Sequence, residues 1–105
     1  MDAIKGVLKE ELQNSLQMKR DYKRELEKLP KGVLIKKIIR GHEYYYLIRR
    51  EGGKVRFDYR GKPSSEEIKQ YEEAKKLRKK YRQLLSQVNK QIKYLSGMLR
   101  DRKSV

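Results

Sequence analysis

Apolar residues along this chain recur with two different periods, and the change of period divides it into three stretches. Over residues 2–29, Ile4, Leu8, Leu12, Leu16, Tyr22, Leu26 and Leu29 recur at helical spacing among Glu, Lys and Gln, a pattern that lays one apolar stripe along a helix. Asp2 is its expected N-cap, and Pro30 with Gly32 is its stop. A second helix is predicted over residues 64–101. Ser64, behind Pro63, is followed three residues later by Glu67 in a capping-box pattern, and Glu66 and Glu67 sit where the helix dipole favours negative charge. From Leu77 the apolar seam continues through Tyr81, Leu84, Val88, Ile92, Leu95 and Leu99, six steps over 22 residues or about 3.67 per step. Ile68 and Tyr71 lie off this seam and are expected to meet the intervening segment. The seam itself reads as core, filled by the first helix in an antiparallel hairpin; an intermolecular coiled coil is the alternative.

Residues 33–61 change to an alternating pattern rich in β-branched and aromatic side chains, punctuated by Gly41-His42 and Gly52-Gly53. Two-residue hairpin loops at both places fix a register. Glu51 then faces Lys54, Ile48 faces Phe57 and Tyr46 faces Tyr59; in the first hairpin Arg40 faces Glu43, Ile39 faces Tyr44 and Ile35 faces Ile48. Alternation sorts the side chains onto two surfaces. One carries Val33, Ile35, Ile39, Tyr44, Tyr46, Ile48, Val55, Phe57 and Tyr59, interrupted by Lys37 and Arg50, and is expected to pack on the helices. The other carries Leu34, Lys36, Ile38, Arg40, Glu43, Tyr45, Leu47, Arg49, Lys54, Arg56, Asp58 and Arg60; it is basic, with Tyr45 among the charges, and is expected to face solvent. The fold class that follows is α+β: two long helices in an antiparallel hairpin and a three-stranded antiparallel sheet, in the order α-β-β-β-α, as a single domain over residues 1–105.

Composition adds a partner. The chain holds 29 Lys and Arg against 14 Asp and Glu, a formal charge of +15, and self-repulsion of that size is relieved by a polyanion. The surplus is uneven: residues 1–32 are nearly balanced, with eight basic and six acidic side chains, whereas residues 64–105 have twelve and five. No apolar run reaches the roughly 20 residues that span a bilayer, and no signal-peptide pattern opens the chain. With no cysteine present, disulfides and thiolate metal sites are excluded. The expected setting is cytoplasmic, without membrane contact.

Catalytic chemistry finds little support. The single histidine, His42, falls at a predicted turn and has no second histidine or cysteine with which to complete a transition-metal set. The pairs Glu66-Glu67 and Glu72-Glu73 read as helix surface, and Gly52-Gly53 lacks the glycine-rich run into a helix that cradles phosphate. No enzyme, metal site or cofactor is expected. The basic residues are the candidate site: Lys36, Arg40, Arg49, Lys54, Arg56 and Arg60 on the polar sheet face with Tyr45 as a stacking ring, and on the last helix Lys75, Lys79, Arg82, Lys90, Lys93 and Arg100 opposite the apolar seam.

The stretch LPKGVLIKKIIRGHEYYYLIRREGGKVRFDYRGK, residues 29–62, resembles a family of small basic prokaryotic proteins in which a Leu-Pro-Lys-Gly opening, a Tyr-Tyr-Tyr strand and a Glu-Gly-Gly-Lys-Val turn sit between two helices. The sheet followed by a helix is also similar in shape to the three-stranded arm domains of tyrosine recombinases, which read DNA. The resemblance implies a setting among phages and other mobile elements. Together these readings predict a non-catalytic protein binding DNA or RNA through phosphate contacts. The alternative expectation is a phage or mobile-element protein that docks on a ribonucleoprotein complex, inhibiting it as anti-CRISPR proteins do or assisting it. A homodimer is compatible with either.

Overall fold

The computed structural model describes residues 3–103, with side chains through Asp101. Its elements follow one another as α1 (Ala3–Lys28), β1 (Val33–Ile39), β2 (His42–Glu51), β3 (Lys54–Gly61) and α2 (Ser65–Lys103). This is the α+β layout expected, with element ends within a residue or two of those read from the sequence. The expected cap at Asp2 lies outside the described residues. Leu29, expected to close the first helix, lies beyond it, because the ring of Pro30 disfavours helical geometry in the residue before it. At the start of α2 the Glu67 amide donates to Ser64 Oγ at 3.1 Å, and the Ile68 amide donates to the Ser64 carbonyl at 3.1 Å, so Ser64 caps the helix through its side chain and accepts its first backbone bond.

Two compact units are distinguished, one made of α1 with α2 from Lys79 onward, the other of Leu29–Arg78. In the helical unit Leu8, Leu95 and Leu99 form a buried cluster against which Leu12 and Met98 pack, and the Tyr22 and Tyr81 rings stand 6.1 Å apart. Positions that rise along α1 meet positions that fall along α2, so the two run antiparallel. The predicted seam is the core line: Val88, Leu95 and Leu99 are buried and Tyr81, Leu84 and Ile92 half-buried. Two predicted apolar positions stay outside. Ile4 is exposed at the first turns of α1, and Leu77 is exposed on the part of α2 that belongs to the other unit.

The second unit is the sheet with the first turns of α2. Strand order is β1-β2-β3, all antiparallel. The β2–β3 register is the predicted one, Tyr46 opposite Tyr59 and Ile48 opposite Phe57. The β1–β2 register is not: Ile39 pairs with His42, Lys37 with Tyr44, Ile35 with Tyr46 and Val33 with Ile48. The turn is centred on Arg40-Gly41, both with positive φ (53° and 79°), as a tight hairpin of this hand requires at its two central residues. Gly52 and Gly53 do the same at 59° and 79°. Moving the first turn by one residue shifts each partner by two, so every strand side chain keeps its face.

Which face packs is the main correction. Leu47, on the surface predicted to be solvent-facing, is 2% exposed, whereas Val55, Phe57 and Tyr59, on the surface predicted to be core, are 51%, 63% and 60% exposed. Leu34, Lys36 and Tyr45 line a groove of about 230 Å³ together with Ile68, Tyr71 and Lys75 of α2. The first turns of α2 therefore cover the Leu34–Tyr45–Leu47 side. Ile68 and Tyr71 meet the sheet as expected, on the face opposite to the one expected. The α1–β1 connector is fastened to this side as well. Arg78 Nη2 donates to the Pro30 carbonyl at 2.7 Å, and Gly32, at φ +101°, passes so close to Leu47 that a Cβ there would stand 2.9 Å from Leu47 Cδ1 and from the Ile48 carbonyl oxygen.

Candidate nucleic-acid interface

The open sheet face is built in rows by the observed register. Val33, Ile48 and Phe57 form one row and Ile35, Tyr46 and Tyr59 the next; Lys37 stands beside Tyr44, and Arg50 beside Val55. Tyr59 is the hub of the aromatic residues, its ring centroid 5.4 Å from Tyr46, edge to face, and 6.2 Å from Tyr44. His42 extends the group, 6.4 Å from Tyr44, and Lys37 Nζ lies 5.2 Å from the Tyr46 ring centre, within cation–π range. Ile39, Arg40, His42, Tyr44 and Tyr59 line a shallow groove of about 660 Å³ at the first-hairpin end of this face.

The charges of the sheet segregate by face. Its three acids, Glu43, Glu51 and Asp58, all project from the other surface, and there they pair with three of the cations singled out from the sequence, Lys36, Arg49 and Arg56. Lys36 Nζ bonds Glu43 Oε1 at 3.3 Å. Arg49 Nε bonds Asp58 Oδ2 at 2.7 Å, with Glu51 Oε2 3.6 Å from its Nη2. Arg56 Nε reaches Glu51 Oε2 at 3.1 Å. On the open face the formal cations are Lys37 and Arg50; both are exposed, and neither makes an ion pair among the described residues.

The predicted site residues are accordingly divided. Tyr45 is half-buried in the groove against α2, with Lys75 at its rim, and so does not stand free among arginines as expected. Arg40 leaves the polar face for the turn, where it lines the aromatic groove. Arg60 sits at a β-bulge: Tyr46 pairs with Tyr59 but Tyr45 pairs with Gly61, which takes Arg60 out of the ladder. Lys54 is exposed opposite Glu51. Lys79, Arg82 and Lys90 are exposed on the helical unit, where Arg82, Lys90 and Lys93 border a shallow surface depression with Leu85, Ser86 and Asn89. Arg100, also expected on that stripe, is exposed. Tyr44, Phe57, Tyr59, Lys37 and Arg50 were not singled out by sequence reasoning. The signal that marks them is the confinement of every sheet acid to the opposite parity.

Among the described residues no cluster of His, Asp and Glu is placed to hold a metal ion, and no helix is long and apolar enough to cross a membrane. The fold and this surface define an α+β chain whose small sheet presents an aromatic face free of acids. The chain belongs to the family described as a domain of unknown function (DUF6788), which matches residues 8–70, taking in most of α1, the whole sheet and the first turns of α2. No curated protein and no solved structure matches it.

Proposed function

We propose that the chain binds nucleic acid without catalysing a reaction on it, mainly through phosphate contacts. The observation that carries this reading is the run of α2 between Glu73 and Asp101, which holds nine basic residues and no acidic one. A solvated helix face without a polyanionic partner ordinarily mixes both signs, because interspersed charges offset one another. Lys79, Arg82 and Lys90 are exposed there and make no ion pair among the described residues. Neutralising phosphates releases their condensed counterions, so affinity should fall steeply and log-linearly with salt.

Electrophoretic mobility shift with duplex DNA, single strands and structured RNA at low and moderate salt tests this. A shift that weakens with salt is expected, and Lys79→Glu, Arg82→Glu and Lys90→Glu should each weaken it and together reduce the salt slope by about three. Absence of a shift on every probe overturns the reading. The cytoplasm of a prokaryotic or phage-infected cell is the setting this reading implies. Docking on a ribonucleoprotein complex is the competing outcome, recognised by a stoichiometric protein partner that survives nuclease treatment.

A further inference from the structure

We infer that the open sheet face is a base-stacking platform, and that the nucleic acid it takes is single-stranded; this rests on the nucleic-acid reading above. Tyr59 and Phe57 expose 60% and 63% of their surface on neighbouring positions of one face, and large apolar surface left open in this way marks an interaction site. Three occupants fit an aromatic face, and charge separates them. A second copy of the chain would bring Lys37 and Arg50 against an identical face that carries no carboxylate, so a two-fold contact would bury like charges without compensation. An ordinary apolar protein surface would leave the same two cations unpaired. A nucleic-acid strand supplies both complements, bases for the rings and phosphates for Lys37 and Arg50.

Duplexes do not offer this. Their base faces are occupied by their own stack, so rings standing on a sheet reach only bases that have been splayed out, and sheets with exposed aromatics hold unpaired bases in this way. Arg40, held at the turn beside His42 and Tyr44, adds a cation at the end of the aromatic row, where a strand crossing the sheet would continue. The α2 cations track phosphates of any nucleic acid; the sheet face adds the preference for unpaired bases.

The test is fluorescence anisotropy at fixed salt with oligo(dT) and oligo(U) of about 12 nucleotides, within the site sizes of single-strand binders, against a duplex of the same length. Tyr59→Ala and Phe57→Ala should each lose roughly tenfold on the single strands and under about twofold on the duplex. Tyr59→Phe should retain wild-type affinity because it keeps the ring. Should an alanine variant fail to fold by circular dichroism, Tyr59→Leu, which keeps apolar bulk without a π face, is expected to show the same loss. Wild-type binding to single strands that these variants leave unchanged overturns the inference while the phosphate-contact reading stands. Binding by the wild type to no probe overturns both. A dimer that Phe57→Ala dissociates, with single-strand affinity unaltered, assigns the face to self-association and overturns the inference.

Discussion

Tyr46 on β2 and Tyr59 on β3 are cross-strand partners whose rings meet edge to face with centroids 5.4 Å apart, on the side of the sheet that solvent reaches. An aromatic pair of this geometry contributes about 0.5–1.5 kcal/mol, but a ring that is 60% exposed, as Tyr59 is, adds little by burial. Leu47, on the opposite face, is 2% exposed. Leu47→Ala should therefore cost about 2–5 kcal/mol, and Phe57→Ala on the open face under about 1 kcal/mol. Urea denaturation followed by circular dichroism ranks the two, and the reverse order would place the core on the other side.

Two glycines should respond oppositely to alanine. At Gly32 the added Cβ meets the Ile48 carbonyl oxygen at 2.9 Å and the backbone sits at φ +101°. Backbone there cannot yield cheaply, so Gly32→Ala should destabilise by at least about 2 kcal/mol. Gly6 lies in α1, where an added Cβ would meet nothing within 4 Å, and Gly6→Ala should stabilise by about 0.5–1 kcal/mol. Thermal melts of the two variants check both signs.

Ser15 is 1% exposed in α1, and its Oγ has no hydrogen-bond partner among the described residues. A small residue lets two helices approach, but an unsatisfied buried hydroxyl carries a desolvation cost of about 1–3 kcal/mol. Ser15→Ala keeps the small volume and removes that cost, so stability should rise by about 1 kcal/mol in chemical denaturation. Ser15→Leu should overpack the helical unit and lower it.

Arg49 is bound by Asp58 at 2.7 Å and flanked by Glu51, both partners partly exposed, so the pair contributes under about 1 kcal/mol. Its charge is already answered within the sheet. Arg49→Gln should change affinity for nucleic acid by under about twofold, whereas Lys37→Gln on the acid-free face should lower single-strand affinity severalfold. Titrations of both variants at one salt concentration decide whether the cations of the two faces differ in this way.

Much of the fold was legible because local signals and long-range packing agree. The Leu84–Val88–Ile92–Leu95–Leu99 seam is periodic and is the core line, Ser64 is the cap it looks like, and Gly52-Gly53 takes the two positive φ angles that set the β2–β3 register. The first turn was displaced by one residue because Arg40 accepts a left-handed backbone that its residue type does not announce. The packed face was not legible from counting apolar residues, since both faces carry them. What decides it is the cover: the first turns of α2 offer only Ile68, Tyr71 and the buried Ala74, enough for Leu34, Tyr45 and Leu47 and too little for a face crowded with rings. The rule that aromatics go inside therefore assigned the packed face to the wrong side of the sheet: Leu47 is 2% exposed and Phe57 63%.

Phe57 is the single phenylalanine of the chain and stands on the open face, 63% exposed, so a selectively labelled phenylalanine gives one aromatic NMR signal that reports on that face alone. Titration with a single-stranded oligonucleotide, to saturation as judged by mobility shift, should move this signal by ring currents from a stacked base, and an equal charge of duplex should leave it near its free position. A Phe57 signal unchanged at saturation with single strand would contradict the assignment of this face as the base-binding surface.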